Sequence, residues 1–364
     1  MRGFLKIIPL FFIMFLLFGV RACASSSADE LFSDFKDIIP EQNEGIVDGD
    51  NLLAEAGIDS IFKEIILAFD EGRGEFLSFF ALLFGVCLLI SVTECAPLCD
   101  TGSLGKSIGA GVITLSGLLV FSALKSICIQ ISSAIGEMGA FFSSLMPVLT
   151  GISVAGGNVT TAGVEAFNMN LTLSIVGRVG TEFLLPLSFT LFVLALADGL
   201  GSGALSSVAK GIKSLFMWVL GIGTTVIIGG VSMQSLVAST SDSAYLKAAR
   251  YAASGMIPIV GSTVSSALST LIGGLSYVQS TVGAASVIII VSGAVAPLLL
   301  LLIRRAALSI CITVMDFIGA SGGVRSFSAF RAALDTVIAV YVLSNLVFVL
   351  EILIFMKSGV TVLV

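Results

Sequence analysis

The chain has 364 residues, of which 56% are hydrophobic and only 12% charged, and its mean hydropathy is +1.09. Soluble domains carry about 25% charged residues, so this composition, with its long apolar runs, indicates a polytopic membrane protein. Histidine is absent, which excludes Ser-His-Asp and Cys-His nucleophilic sites and removes a common metal ligand. No Walker A or G-x-G-x-x-G context is present either. We therefore predict no enzymatic activity, no cofactor, no metal site and no nucleic-acid binding.

The first 24 residues have the pattern of a secretory signal peptide. A basic start, MRGFLK, precedes apolar residues 7–20 and the sequence RACA, in which Ala22 and Ala24 form an A-x-A cleavage site. We predict cleavage after Ala24. Two alternatives remain open: an uncleaved anchor, and a lipoprotein-type cut before Cys23, which the neighbouring Arg21 disfavours.

Residues 25–75 form an acidic segment with 14 Asp and Glu against three Lys and Arg. It has too few apolar residues for a core of its own. Residues 51–70 place apolar side chains at helical spacing. We predict an exported, partly helical segment that forms a small amphipathic helix on the membrane surface or on a partner.

Six apolar windows follow, each about long enough to cross roughly 30 Å of hydrocarbon. They are residues 76–93, 107–124, 179–197, 214–236, 283–303 and 336–356. Stretches richer in Gly, Ser and Thr lie between them, at 139–157, 164–177, 252–275 and 306–320. We predict an all-α, polytopic helical membrane fold with six to ten crossings.

Basic residues orient this fold, because Lys and Arg favour the cytoplasmic side. With the acidic segment outside, the first window runs inward and the direction alternates from window to window. Seven basic residues then face the cytoplasm: Lys106, Lys210, Lys213, Arg304, Arg305, Arg325 and Arg331. This topology predicts that residues 124–138 and 235–251 are loops on the outside.

The prolines indicate an internal duplication. Pro147 and Pro186 are 39 residues apart, as are Pro258 and Pro297, and the two pairs are offset by 111 residues. We predict two parallel membrane repeats, at 104–212 and 213–330. A first transmembrane helix and loop (76–103) would precede them, and a C-terminal transmembrane helix (331–364) would follow. The alternative is coincidence among common membrane-helix dipeptides.

The first proline of each pair is predicted to break a helix or to mark a re-entrant segment. Gly255 and Gly261 flank Pro258, and Pro147 lies in a similar context. Irregular backbone at membrane depth is tolerated where it is buried in protein or lines a cavity. Together with Pro186 and Pro297, these residues form a candidate pore region. The alternative is proline in the first turn of a helix, which needs no repair.

Charged residues inside apolar windows often mark functional sites. Arg178 and Glu182 are four residues apart and form a candidate intramembrane ion pair. Asp198 and Asp316 end apolar stretches, and Glu351 lies inside the last one. These residues suggest either a polar or proton-linked pathway, or a structural pair with interfacial charges. The second interpretation is favoured because the acidic residues do not recur at equivalent repeat positions.

The cysteines are predicted to be reduced and chemically inert. Cys95 and Cys99 are too few for a zinc site in a chain without histidine. Cys87, Cys128 and Cys311 lie in apolar runs and are expected to behave as small hydrophobic residues.

Two blocks of the membrane domain carry a family resemblance. They are SMQSLVASTSDSAYLKAARYAASGMIPIVGSTVSSALSTLIGG (232–274) and GAVAPLLLLLIRRAALSICITVMDFIGASGG (293–323). Both resemble the stage III sporulation protein AE family of endospore-forming bacteria. The order of signal peptide, acidic exported segment and polytopic domain is also similar, although the exported segment is shorter than is typical of the family.

The resemblance implies a subunit of the channel-like complex that links mother cell and forespore and supports late forespore gene expression. It implies a location in the mother-cell-derived outer forespore membrane. The implied partners are the other subunits of the same operon and a forespore-side membrane protein, with oligomerisation possible. No catalytic residue is implied. The alternative function is a stand-alone secondary transporter of a small solute, which the repeat and its paired helix breaks favour.

Overall fold

The structure, a computed structural model, describes Gly74 and residues 78–94, 103–197, 204–256 and 261–360. This part of the chain is helical, with short turns and no strand, which confirms the predicted all-α class. The predicted signal peptide and the acidic segment apart from Gly74 lie outside the described residues.

The described helices are long relative to those of ordinary globular proteins. They are α1 (Ser78–Glu94), α2 (Ser103–Ala155), α3 (Val159–Arg178), a π-helical segment (Val179–Phe183), α4 (Leu184–Ala197), α5 (Ala204–Met256), α6 (Gly261–Ile318) and α7 (Ser321–Val360). Stretches of α2, α5, α6 and α7 are each long and apolar enough to cross a membrane, whereas α1 is apolar but shorter. These stretches support the classification as a membrane protein.

The described parts of all six apolar windows are helical, but the two predicted outside loops are wrong. Residues 124–138 lie inside α2, and residues 235–251 lie inside α5. Apolar residues continue at helical spacing through the first segment, where Leu124, Ile127 and Ile131 are buried in the core. A backbone in an apolar bundle has no water to bond, so an unbroken helix is its simplest way to satisfy every N–H and C=O group.

Two tight turns join helices into hairpins. The turn between α2 and α3 contains Gly157 with a φ of 83°, and the turn between α6 and α7 contains Gly319 with a φ of 89°. Positive φ strains most side chains but is readily adopted by glycine, which commonly ends a helix in this way. The two turns therefore let the chain reverse within very few residues.

The second arms of the two predicted repeats, α3 and α6, run in the same direction. Both are antiparallel to α2. Helix α3 follows α2 in a hairpin. In α6, Arg304 contacts Gln130 and the earlier residue Gly293 contacts the later residue Met138, so the contacts run in opposite directions along the two helices. A parallel duplication requires this order, but any up-and-down bundle also has it. The internal repeat therefore stays a prediction.

Helix α7 occupies the centre of the bundle. Of its most apolar window 61% is buried, against 6% for the corresponding window of α5. Ring contacts join Phe330 of α7 to Phe192 of α4 at 4.6 Å, and Phe348 to Phe142 of α2 at 4.8 Å. The hydroxyl of Tyr341 donates to the carbonyl oxygen of α6 residue Ala294 at 3.2 Å. The other helices thus pack around α7.

A charged cluster ties α7 to its neighbours where the bundle approaches the Gly319 turn. Asp335 of α7 forms ion pairs with Lys213 of α5, at 3.6 Å, and with Arg305 of α6. The adjacent Arg304 donates to Gln130 of α2 at 3.0 Å. Gln130 belongs to the segment 124–138, which is predicted to lie outside, whereas Arg304 is predicted to face the cytoplasm. Two residues on opposite sides of a membrane could not touch, so their contact also contradicts the predicted outside loop.

The predicted break at Pro147 is not found, because α2 continues through this residue to Ala155. Pro186 and Pro297 likewise lie inside α4 and α6, and Pro258 lies outside the described residues. A proline removes one intrahelical hydrogen bond and crowds the preceding turn, which a packed helix can accommodate. At Pro186 the accommodation is visible, since the π-helical segment Val179–Phe183 ends just before it.

Candidate functional site

One face of α3 is polar and fully buried. Thr161, Glu165, Asn168 and Thr172 are each at most 1% exposed. Their spacing of four, three and four residues places them on a single helical face. Intramembrane polar residues are rare and usually face the interior of a bundle, where they mark functional sites. This face is therefore the first candidate for a site.

Helix α5 supplies two partners to this face. The Ser235 hydroxyl donates to Oε1 of Glu165. The Asp242 carboxylate accepts from the backbone N–H of Thr160 at 3.2 Å and of Thr161 at 2.7 Å. These N–H groups belong to the first turn of α3 and have no intrahelical acceptor, and a negative charge there also complements the helix dipole. Asp242 thus caps α3 from a neighbouring helix.

Helix α7 closes the site from the other side. Ser358 lies beside the Glu165 carboxyl, although its hydroxyl donates to the carbonyl oxygen of Phe355 at 2.7 Å, and Thr172 lies beside the Glu351 carboxyl. Because the two contacts occur in reverse order along the helices, α3 and α7 are antiparallel here. We call Glu165, Asn168, Thr172, Ser235, Glu351 and Ser358 the buried polar cluster.

The cluster holds two carboxyl groups that interact electrostatically. Within the described part of the chain, Oε2 of Glu165, both carboxyl oxygens of Glu351 and Oγ1 of Thr172 have no hydrogen-bond partner, although each is buried. Among the described residues, the groups that act most on either carboxyl are hydroxyl groups and the other carboxyl, and none is basic. Burying a carboxylate without a partner is costly, and two like charges at close range repel. The arrangement is suited to taking up a positive charge.

The predicted pore region stays a prediction, because only part of it is described. Pro147 and Pro186 are exposed, and Pro297 is half-buried. Gly255 and Gly261 lie near the end of α5 and at the start of α6, on either side of the undescribed Pro258. Pro186 lines a mainly apolar cleft of about 410 Å³ between α2, α4 and α7.

The candidate ion pair is not joined. Arg178 and Glu182 are both exposed, and no ion pair between them is found in the described residues. They lie at the junction of α3 and the π-helical segment. A π-turn has more residues per turn than an α-helix, so residues four apart no longer lie directly above one another as they do in an α-helix.

Sequence reasoning found Glu351 but missed its counterpart Glu165. Glu165 lies in the stretch 164–177, one of those richer in Gly, Ser and Thr between the apolar windows. The signal was present in the spacing of Thr161, Glu165, Asn168 and Thr172, which fits one helical face. In a membrane segment, polar residues that recur at helical spacing indicate a helix whose polar face is turned into the bundle.

The predicted repeat aligns two residues of this polar face with polar residues of α6. An offset of 111 residues carries Glu165 to Ser276 and Asn168 to Gln279, and all four side chains are buried. Gln279 of α6 donates to the carbonyl oxygen of Phe355 in α7 at 2.9 Å. Each repeat would then present polar side chains to the same end of α7.

Cys87, Cys128 and Cys311 are free and buried, as predicted for small hydrophobic residues. Cys95 and Cys99 lie outside the described ranges. In the part of the chain that the structure covers, no group of three or more His, Cys, Asp or Glu is placed to hold a metal.

Comparison with known proteins identifies the family. The family model described as Stage III sporulation protein AE (spore_III_AE) matches residues 75–359. The chain belongs to the stage III sporulation protein AE family. It is similar to the Stage III sporulation protein AE of Bacillus subtilis (strain 168), with 20% identity over 348 residues, covering 91% of this chain and 84% of the relative. No solved structure matches the chain.

Family membership covers the whole helical bundle. The matched range begins at the end of the acidic segment and includes α1 to α6 and nearly all of α7. Both carboxyl groups of the buried polar cluster lie inside it. The chain is thus a stage III sporulation protein with membrane-helix character.

Proposed function

We propose that the chain is a non-enzymatic integral membrane subunit of the channel-like complex that connects mother cell and forespore. In this role it would support late forespore development and gene expression from the mother-cell-derived outer forespore membrane. The observation that carries the proposal is the family match over the entire bundle. A helical bundle with long apolar helices is also what a membrane subunit requires.

The outer surface of α5 is the part of the bundle best suited to a neighbouring subunit. Its most apolar window is only 6% buried, and Trp218, Ile222 and Val226 point outward. Gly229 and Gly230 have open space where a Cβ would lie. Small residues let membrane helices approach closely and associate through van der Waals contact. Subunits of the same operon would pack here, and a forespore-side partner would meet the exported acidic segment.

Genetic complementation tests the subunit proposal. The gene would be deleted in its endospore-forming host and restored as the full chain, with a reporter for late forespore gene expression. We expect the deletion to abolish the reporter signal and the full chain to restore it and to co-purify with the other operon subunits. Restored expression without co-purification would contradict a subunit role.

A matched pair of variants locates the contact. Gly229→Leu fills the open space on α5, whereas Val226→Leu changes an already large exposed residue. We expect Gly229→Leu to reduce both co-purification and the reporter signal and Val226→Leu to leave both unchanged. Equal behaviour of the two variants would remove α5 from the interface.

A stand-alone secondary transporter is the second candidate, and the buried polar cluster favours it. Unpaired carboxyl groups inside a membrane bundle are typical of ion and proton pathways. Purified protein in liposomes would then show saturable solute flux that is lost in Glu351→Gln. Flux by the purified chain alone would contradict the subunit-only role.

A further inference from the structure

We propose that the buried polar cluster is a binding site for one hard divalent cation, of the class of Ca²⁺ and Mg²⁺. The site lies between α3, α5 and α7. Its first ligands are the carboxyl groups of Glu165 and Glu351, which are 0% and 2% exposed.

The donor set selects the class of cation. The cluster offers only oxygen atoms in its carboxyl and hydroxyl groups, and such atoms suit Mg²⁺, Ca²⁺ and Mn²⁺ rather than metals that prefer nitrogen or sulfur. Ca²⁺ takes six to eight oxygen ligands in flexible geometry, and Mg²⁺ keeps several waters and needs only one or two carboxylates. Two carboxylates with neutral oxygens are therefore sufficient, without a third acidic residue.

Charge balance favours a divalent over a monovalent ion. The two carboxyl groups carry two negative charges when ionised, and among the described residues the groups that act most on them include no basic group. One divalent cation neutralises both and replaces their mutual repulsion by two attractions. A monovalent ion would leave one net charge inside the bundle, where an unpaired charge is costly.

Unpartnered side chains give independent support. Thr172 is 0% exposed, its Oγ1 has no hydrogen-bond partner in the described part of the chain, and it lies beside the Glu351 carboxyl. Oε2 of Glu165 and both carboxyl oxygens of Glu351 are also buried without a hydrogen-bond partner in this part of the chain. Buried polar atoms are normally paired, so these unpaired oxygens in one place indicate a ligand.

The site lies near one end of the bundle. Glu165 lies six residues after the start of α3 at Val159, which is about 9 Å along the helix. The cluster is thus close to the end of the bundle that contains the turn at Gly157. An ion would need to pass only the first turns of α3 and the last turns of α7.

Equilibrium dialysis tests the proposal on the purified full chain in detergent. The protein would be stripped with EDTA and titrated with ⁴⁵Ca²⁺, and separately with Mg²⁺ as competitor, at an ionic strength held constant with KCl. We expect saturable binding of one ion per chain. Glu351→Gln should abolish it, and Glu182→Gln, which removes an exposed carboxyl outside the cluster, should not.

Two further variants keep the test decisive if Glu351→Gln does not fold. Thr172→Val removes an oxygen without changing charge and should weaken binding about 10- to 100-fold, whereas Thr172→Ser should retain it. No saturable binding of Ca²⁺ or Mg²⁺, binding of Na⁺ alone, or equal binding by Glu351→Gln and Glu182→Gln would each overturn the proposal. The assay uses the isolated chain, so its failure would leave the proposed role in the complex untouched.

Discussion

The cap that Asp242 places on α3 gives the most direct stability prediction. Replacing Asp242 by Ala leaves the N–H groups of Thr160 and Thr161 without their acceptor. Thr161 is 1% exposed, and an unsatisfied buried donor costs about 1–3 kcal/mol. Loss of the negative charge at the helix start adds about 1 kcal/mol. Thr160 is exposed, so water can replace its partner.

We therefore expect Asp242→Ala to lower the free energy of unfolding by about 2–4 kcal/mol. Asp242→Asn retains a neutral acceptor oxygen and should cost about 1 kcal/mol. The measurement is equilibrium unfolding of the detergent-solubilised protein by SDS, followed by circular dichroism. Asp316→Ala is the control, because this exposed residue should change stability by no more than about 0.5 kcal/mol. An alanine variant as stable as this control, or an asparagine variant as damaged as the alanine variant, would refute the capping argument.

Three further predictions use the same unfolding assay. Asp335→Ala removes the shared partner of two cations. Breaking a buried ion pair costs about 3–5 kcal/mol, but these cations are 21% and 31% exposed, so we expect the free energy of unfolding to fall by about 1–3 kcal/mol. An unchanged free energy of unfolding would show that the pairs are not formed. In Gly283→Ala the added methyl group would press against the side chain of an α7 methionine, which should lower the free energy of unfolding by about 1–3 kcal/mol. Gly229→Ala adds its methyl group to open space and should raise the free energy of unfolding by up to about 1 kcal/mol. The reverse order of stability would contradict the close approach of α6 and α7. In a double-mutant cycle, Arg178→Ala and Glu182→Ala should couple by less than about 0.3 kcal/mol, and a value near 1 kcal/mol would show an ion pair.

The sequence was sufficient for the all-α class because the apolar windows are long and unambiguous. It was not sufficient for the helix ends. Residues 124–138 contain glycine, serine and a glutamate, which suggest a loop in isolation, yet their apolar residues pack into the core of the bundle. Tertiary burial and the need to satisfy the backbone outweighed local composition.

The same distinction explains the prolines. Pro147 was predicted as a break from its local chemistry, but α2 passes through it. A helix end is decided by what can satisfy the backbone after it, and at Gly157 a positive φ provides that end. Composition shows where a helix is weakened, whereas the turn shows where it stops.

The candidate site was only half predictable. Glu351 is conspicuous as a charge inside an apolar window, but Glu165 becomes significant only when α3 is known to face α7. Contacts between helices distant in sequence depend on rotation and register, which a single sequence does not specify. Spacing of the polar residues could have shown which face of α3 is turned inward, though not which helix it meets.

The central position of α7 has a consequence for biosynthesis. This helix is the most buried of the four long apolar ones, and it is also the last described helix to leave the ribosome. At about 5–20 residues per second, its 40 residues take roughly 2–8 s to synthesise. During that interval α2 to α6 have no central partner and must wait in the membrane with their packing surfaces facing lipid or the insertion machinery. The bundle can therefore complete its packing only after α7 has been synthesised, late in translation.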